Sequence, residues 1–450
     1  MTRQICLLTC LILSPFLGFT QQTQLATLIA DDGIPGIQLE YHKGPQVRTV
    51  YLGTVRRDTT QTVTANTIFE AASLSKPVFT YAVLKLVDRG VLNLDTPLLH
   101  YLGRYPRIDS LDNRYEKITA RMVLSHRTGF PNWGDDQHLP LLFTPDSCFS
   151  YSGEGFLFLQ RAVEKLTGQT LDEVVAKEVF IPLGMKNSSY QWQSRFDTIS
   201  AFGAKNGKWH MTQNAASSLL TNAHDYSLFL QALLADNKGM FTKYSQGNWF
   251  RHEKPGVMEH IGWGLGVGLT QDDGHQWIWH WGDNGDFKCF FLLSPDTHES
   301  LVYFTYNRYG LQIMPDVLSL FFGNHTWWPS KWLSYDFEKA DEMRAFRAKL
   351  KQEGYVKAGA IIKKAGYHFP EDDLNNFGFM LMRNKQINEA LEIFKLNLEL
   401  YPGSANGYDS LAEAYEAAGN KQLALVNFKK ALELNPKNKY AAEHIKLLEK

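Results

Sequence analysis

Residues 69–90 read FEAASLSKPVFTYAVLKLVDRG, and their reading decides the fold. Ser73 and Lys76 stand three apart where an apolar, helix-spaced run begins, so on a helix the amine reaches the hydroxyl from the same face. A serine alone is a weak nucleophile, and a lysine held neutral by burial can take its proton. The same letters also fit a capped helix start, with Ser75 as N-cap and Lys76 and Pro77 in the first turn. One S-x-x-K arises by chance in a chain of 450 residues, so its surroundings must decide.

Those surroundings contain two further chemical groups. Tyr151 lies in the small-residue loop of SYSGEGFLFLQRAVEKLTG, which leads into an amphipathic helix, and WIWHWGDNG places His280 at a strand end just before Gly282. HRTGFPNW reads as a loop over a pocket, with Trp133 as a candidate wall or a purely structural residue. Alternating GIQLEYHKG and VRTVYLGTV, within residues 24–70, predict an antiparallel hairpin turning at Gly-Pro. Helix-period segments fill 73–235, and strands return at WGLGVGLT, HQWIWHW, FKCFFLLS and SLVYFTYN. Strands at both ends with helices between predict an α+β domain whose sheet joins distant segments.

Past WWPSKWL the composition shifts to Ala, Glu, Lys, Leu and Asn. LNNFGFMLMRNKQINEALEIFKLNLELYPGS aligns with YDSLAEAYEAAGNKQLALVNFKKALELNPKN at an offset of 34, matching Gly378 to Ala412, Ala390 to Ala424, Phe394 to Phe428 and Pro402 to Pro436. This resembles the tetratricopeptide repeat (TPR), in which small residues let paired helices approach and an aromatic fills the gap. The expected organisation is a signal peptide over 1–20, a catalytic domain over 21–330, a linker and degenerate helical hairpin over 331–370, and two TPR-like repeats over 371–450.

The export reading rests on Arg3, the apolar run ICLLTCLILSPFLGF and polar TQQTQ, with cleavage near Thr20 and a mature start near Gln21. A span that stays in the membrane is disfavoured by the run's length and by Pro15. Cleavage would remove Cys6 and Cys10 and leave Cys148 and Cys289, which could pair but are read as buried thiols. With 46 Lys+Arg against 47 Asp+Glu, nucleic acid and anionic membrane are not the expected partners. A small molecule or peptide is. Aromatics make up 13% of the chain, including 11 Trp. That content suits packed sheets and a lined pocket. No H-E-x-x-H, C-x-x-C or G-x-x-x-x-G-K-[ST] occurs, so no metal or cofactor is expected, and SYSGEG is not the G-x-S-x-G of α/β-hydrolases.

FEAASLSKPV, ARMVLSHRTGFPNW, YSGEGFLFLQRAVEKLTG, FIPLGMKNSSY, SSLLTNAHDYSLFLQALL, WGLGVGL and HWGDNGDFKCFFLLSPD run in order from about residue 30 to 320. Together they resemble the β-lactamase-related serine hydrolases, the group of class C β-lactamases, penicillin-binding D,D-peptidases and related esterases. The resemblance implies a β-lactamase/transpeptidase-like fold, an antiparallel sheet flanked by helices plus a helical subdomain, followed by the all-α tail. It implies Ser73 as acylated nucleophile, Lys76 as proton acceptor, Tyr151 as proton relay, and His280, Trp281 and Gly282 in place of the family's K-T-G box. The oxyanion would be held by the N–H of Ser73 and by one two or three residues past Gly282.

Two positions depart from the pattern. Gly153 stands where the family has the asparagine of Y-x-N, and His280 where it has lysine, so both groups that grip a substrate carboxylate are altered. The expected activity is therefore hydrolysis of a small ester, amide or peptide, including one with a D-residue. The alternatives are a β-lactamase or D,D-peptidase, and a non-catalytic penicillin-binding-type sensor that signals through the repeats. The protein is expected to be exported, to the periplasm or beyond.

Overall fold

The computed structural model describes residues 14–56, 59–135, 137–201, 212–251, 254–272, 274–333 and 339–449. The strands among them, in chain order, are β1 (Gly36–Lys43), β2 (Gln46–Gly53), β3 (Phe69–Glu70), β4 (Leu220–Thr221), β5 (Ser245–Gln246), β6 (Ile261–Trp263), β7 (Gly268–Asp272), β8 (His275–Asn284), β9 (Phe287–Ser294) and β10 (Glu299–Tyr306). Eight form one antiparallel sheet in the order β2-β1-β10-β9-β8-β7-β6-β5, and β3 pairs with β4 separately. The alternation read in the sequence becomes the β1–β2 hairpin, in whose tight turn Gly44 adopts φ +53°. Glycine takes that left-handed conformation without steric cost. β1 lies against β10, with Ile37 opposite Thr305, so the first and last strands of this unit pair inside the sheet, one strand in from its β2 edge. The sheet is built from distant segments, as an α+β fold requires.

β9 is buried at every position, which its unbroken FKCFFLLS run calls for in a central strand covered on both faces. The helix Ser75–Asp88 is likewise buried nearly all round, at eleven of its 14 residues, and Phe79 packs on Phe156 from the helix Gly153–Thr167. These layers fix the nucleophile segment between the sheet and the helical region.

The chain divides into two compact units, Met1–Trp332 and Leu333–Lys450. Among the described residues of the second, the α-helices of the tail are Ala340–Glu353, Ala358–Ala365, Glu371–Arg383, Ile387–Leu400, Ala405–Ala417, Lys421–Leu434 and Lys439–Leu448, joined by short turns and with no strand. Glu371 and Ala405 open helices 34 positions apart, as do Ile387 and Lys421. A Cβ on Gly378 would lie 2.4 Å from Phe394, and Ala412, Ala424, Phe428, Ala431 and Ala441 share one buried cluster. Small residues there allow the close helix approach that the aligned sequence pairs suggest.

Several expectations change. Residues 24–31 end a helix, Ser14–Asp31, rather than joining the alternating segment, and this helix crosses the expected cleavage point near Thr20. The start of the expected signal, positions 1–13 with Cys6 and Cys10, lies outside the described residues. WGLGVGLT is not one strand: β6 ends at Trp263, β7 begins at Gly268, and glycines form the turn, Gly266 at φ +70°. Cys148 and Cys289 are both free thiols, but only Cys289 is buried, while Cys148 is partly exposed. Among the described residues no helix is long and apolar enough to cross a membrane.

Candidate active site

Ser73 stands, partly exposed, in a single turn, Ala72–Leu74, directly before the helix Ser75–Asp88. Ala72 is held at φ +46°. Alanine adopts that left-handed conformation only when its surroundings impose it. The surroundings are visible. The Tyr226 hydroxyl donates to the Leu74 carbonyl at 3.0 Å, Tyr190 to that of Ser75 at 2.5 Å, and the Cys289 thiol to that of Ala71 at 3.1 Å. Ser75 is not the helix cap: the N-cap is Leu74, and Ser75 Oγ instead donates to the Ala72 carbonyl and accepts the Leu219 N–H at 3.0 Å.

Lys76 is completely buried, with Nζ 2.9 Å from Ser73 Oγ and 2.9 Å from the Ala216 carbonyl. Loss of hydration drives its pKa well below the ordinary lysine value. A neutral amine donates to Ala216 and turns its lone pair to Ser73, whose hydroxyl then donates to it. The Ala216 carbonyl thus holds the lysine, a task the sequence left unassigned once Gly153 replaced asparagine.

Tyr151 packs over Lys76, its ring centre 4.8 Å from Nζ. His126, fully buried, stacks on it at 4.4 Å, with Trp281 at 4.7 Å and His280 at 6.0 Å. The segment that carries His126 stands out in the sequence for Trp133, not for the histidine. His280 sits within β8 rather than at its end, is fully buried, and has Nδ1 2.7 Å from the Trp281 carbonyl. A carbonyl only accepts, so Nδ1 carries the proton and Nε2 is a bare acceptor with no hydrogen-bond partner among the described residues. Burial first, and then nearby Lys76, hold the imidazole pKa well down. The group replacing the family's lysine is a neutral acceptor.

Gly282 lies where β8 meets the nucleophile turn: a Cβ there would lie 2.3 Å from Cys289 Sγ and 2.5 Å from the Ala71 carbonyl. Trp281 is nearly buried between Tyr151 and Trp332, whose ring is 5.2 Å away, so it packs the tyrosine rather than lying open to substrate. Gly153 is occupied from outside. A Cβ would meet Trp133 at 2.8 Å and the Asn132 carbonyl at 3.0 Å, so the half-exposed Trp133 ring fills the place of the family's asparagine. Glu154 anchors that loop through the Gly134 N–H at 2.9 Å and a bidentate Arg107 pair at 2.6 and 2.9 Å.

The second oxyanion donor expected at Asn284 or Gly285 needs correction. Gly285 N–H donates to Asp283 Oδ1, and Asn284 pairs with Phe287 across a two-residue hairpin, whose flanking residues exchange backbone hydrogen bonds. One residue back, the Asp283 N–H points away from β9, and β7 pairs with β8 only as far as Trp279. Asp283 is the geometrically suitable donor. Among the described residues no group of three or more His, Cys, Asp and Glu is arranged to hold a metal ion.

Penicillin-binding protein 4 of Amycolatopsis lactamdurans is 29% identical over 194 residues, 39% of this chain and 49% of that protein. Esterase EstB of Burkholderia gladioli is 30% identical over 168 residues, 31% of this chain and 42% of that protein. The chain thus matches about half or less of these relatives' lengths. The structure of a D-amino acid amidase from Ochrobactrum anthropi superposes with a TM-score of 0.54 at 18% identity, covering 65% of this chain and 91% of that one, which shows a shared fold. The beta-lactamase family itself matches residues 22–316, well over half of the sequence. With that span, and with serine, lysine and tyrosine converging inside it, the chain belongs to the beta-lactamase family, the serine hydrolase group that its sequence blocks resemble.

Proposed function

We propose that the protein is an exported serine hydrolase that forms and hydrolyses an acyl-enzyme on Ser73, with small esters, amides or short peptides as substrates. The observation that carries this is the 2.9 Å approach of the fully buried Lys76 amine, its pKa driven down by desolvation, to the Ser73 hydroxyl. In acylation Ser73 Oγ attacks the substrate carbonyl carbon while its proton passes to Nζ. The carbonyl oxygen becomes an oxyanion between the N–H groups of Ser73 and Asp283. Collapse breaks the bond to the leaving group, which takes the proton through Lys76 and Tyr151. Water then attacks the acyl carbon as Tyr151 and Lys76 receive its proton, the bond from that carbon to Ser73 Oγ breaks, and Oγ takes the proton back as the acid leaves.

His280 favours this substrate class over a β-lactam. A carboxylate is an acceptor, and a neutral acceptor at Nε2 offers it neither charge nor hydrogen bond. An esterase among the relatives and an amidase among the fold neighbours fit the same choice. β-Lactamase or D,D-peptidase activity is the second reading, favoured by the penicillin-binding relative. The helical unit is proposed to be a TPR-type surface for a peptide or partner chain, supported by its 34-residue spacing. Export is supported by the apolar run behind Arg3.

A panel of p-nitrophenyl esters of short acids, D-amino acid amides and nitrocefin tests the reading. Turnover of esters or amides well above that of nitrocefin is expected. Nitrocefin as the best substrate would favour the second reading, and no turnover anywhere would favour a non-catalytic sensor.

A further inference from the structure

His126 grips the peptide on both sides of Tyr151. Its carbonyl accepts the Ser150 N–H at 2.9 Å, its Nδ1 accepts the Ser152 N–H at 3.0 Å, and its ring stacks on the phenol ring at 4.4 Å and 30°. Because Ser152 donates, Nδ1 must be bare and the proton must sit on Nε2, the reverse of His280. The imidazole is wholly buried in an aromatic box of Phe149, Phe156 and Trp263, with centres 5.7, 5.3 and 5.2 Å away.

The backbone is committed to this grip. His126 is held at φ +55°. That conformation is uncommon for a residue with a Cβ. Its neighbours lock it there: His126 N–H donates to the Val123 carbonyl at 3.0 Å and Arg127 N–H to that of Met122 at 2.7 Å, while Arg127 and Asp146 clasp each other's main chain. A phenylalanine would keep the ring but lose the Nδ1 acceptor. An asparagine keeps an acceptor at nearly the same reach and tolerates the left-handed backbone, but loses the ring.

We propose that His126 is the positioning residue for Tyr151, setting the phenol ring over Lys76 by holding the N–H groups of Ser150 and Ser152 on either side of it. This rests on the acyl-enzyme reading of Ser73 for its catalytic consequence, and on geometry alone for the placement. His126 touches no reacting atom. Its removal lowers turnover by displacing the tyrosine, and a displacement near ~1 Å costs on the order of 100-fold.

The test compares the full-length protein with His126→Phe and His126→Asn, using p-nitrophenyl butyrate and a fluorophosphonate probe, with thermal unfolding of each to confirm folding. His126→Phe is expected to lose about 10-fold to 100-fold in kcat with KM within about threefold, and still to form the phosphonyl adduct on Ser73. His126→Asn is expected to stay within about threefold of the parent, because it keeps the Ser152 hydrogen bond. Parent-like kcat in His126→Phe, or an equal fall in both variants, would overturn the proposal. If the parent itself neither turns over nor takes the probe, the functional reading fails, and NMR decides the placement separately. A nitrogen-15 spectrum showing His126 protonated on Nε2, with nuclear Overhauser contacts between the Tyr151 and Trp281 rings weakened in His126→Phe and kept in His126→Asn, supports it. Protonation on Nδ1, or unchanged contacts in both variants, contradicts it.

Discussion

Burial lowers the pKa of Lys76, and the chemistry proposed at Ser73 depends on that amine acting as a base. Lys76→Arg keeps a charge that cannot be shed, so kcat/KM for an ester should fall by about 1,000-fold with the fold intact, read from steady-state kinetics and circular dichroism. Because the neutral amine is the active form and its pKa is lowered, kcat/KM should rise with pH along a limb far below the ordinary lysine range. A limb at the ordinary lysine pKa would contradict this. His126 and His280 are also held neutral, chiefly by burial. Unfolding lets them take protons below about pH 6.5, whereas the folded chain resists until lower pH, so the unfolded state binds more protons in that window. Thermal stability should therefore fall as pH drops from about 7 toward the lowered pKa values, and His280→Gln should flatten that fall. Ser73, Lys76, Tyr151 and His280 were legible because each belongs to a short motif in a fixed order. His126 and Ala216 were not: one meets the Tyr151 segment through Nδ1 and a main-chain carbonyl, the other meets Lys76 through a backbone carbonyl, and neither has a side-chain signature at a fixed distance from Ser73.

Elements bring these residues together only where glycine leaves room. Gly282 lets β8 lie against Ala71 and Cys289. Gly282→Ala should therefore destabilise the protein by about 1–3 kcal/mol and lower ester turnover, measured by denaturant unfolding and kinetics. Gly153→Asn, which restores the family's residue, should be destabilising by a similar ~1–3 kcal/mol, because Trp133 occupies the space. Trp133→Ala in the same chain should recover most of that loss, and failure to recover it would show that the ring is not the obstacle. Gly153 looked in the sequence like a lost amide. It is the floor under an aromatic side chain that sequence order alone could not place there. The strands were readable from alternation and turn residues, whereas residues 24–31 were not, since a short segment with scattered polar residues fits either period. The break inside WGLGVGLT was hidden because glycines interrupt strands and line them alike.

Across the molecule, the α+β character followed from strands at both ends of the first unit, and the pairing of β1 with β10 is its physical form. The second unit showed itself through period and composition. Phe428 belongs to its small-residue cluster. Phe428→Ala should cost about 3–5 kcal/mol in unfolding of that unit, while ester turnover stays within about twofold of the parent. A comparable loss of turnover would mean that the first unit does not fold on its own core. The most direct measurement is the intact mass of the full chain after treatment with a fluorophosphonate, followed by peptide mapping. One adduct on Ser73, absent from Ser73→Ala and slowed at least about 100-fold in Lys76→Met, is the predicted result. No adduct on the folded protein, or an adduct on another residue, would contradict the claim that Ser73 is the nucleophile.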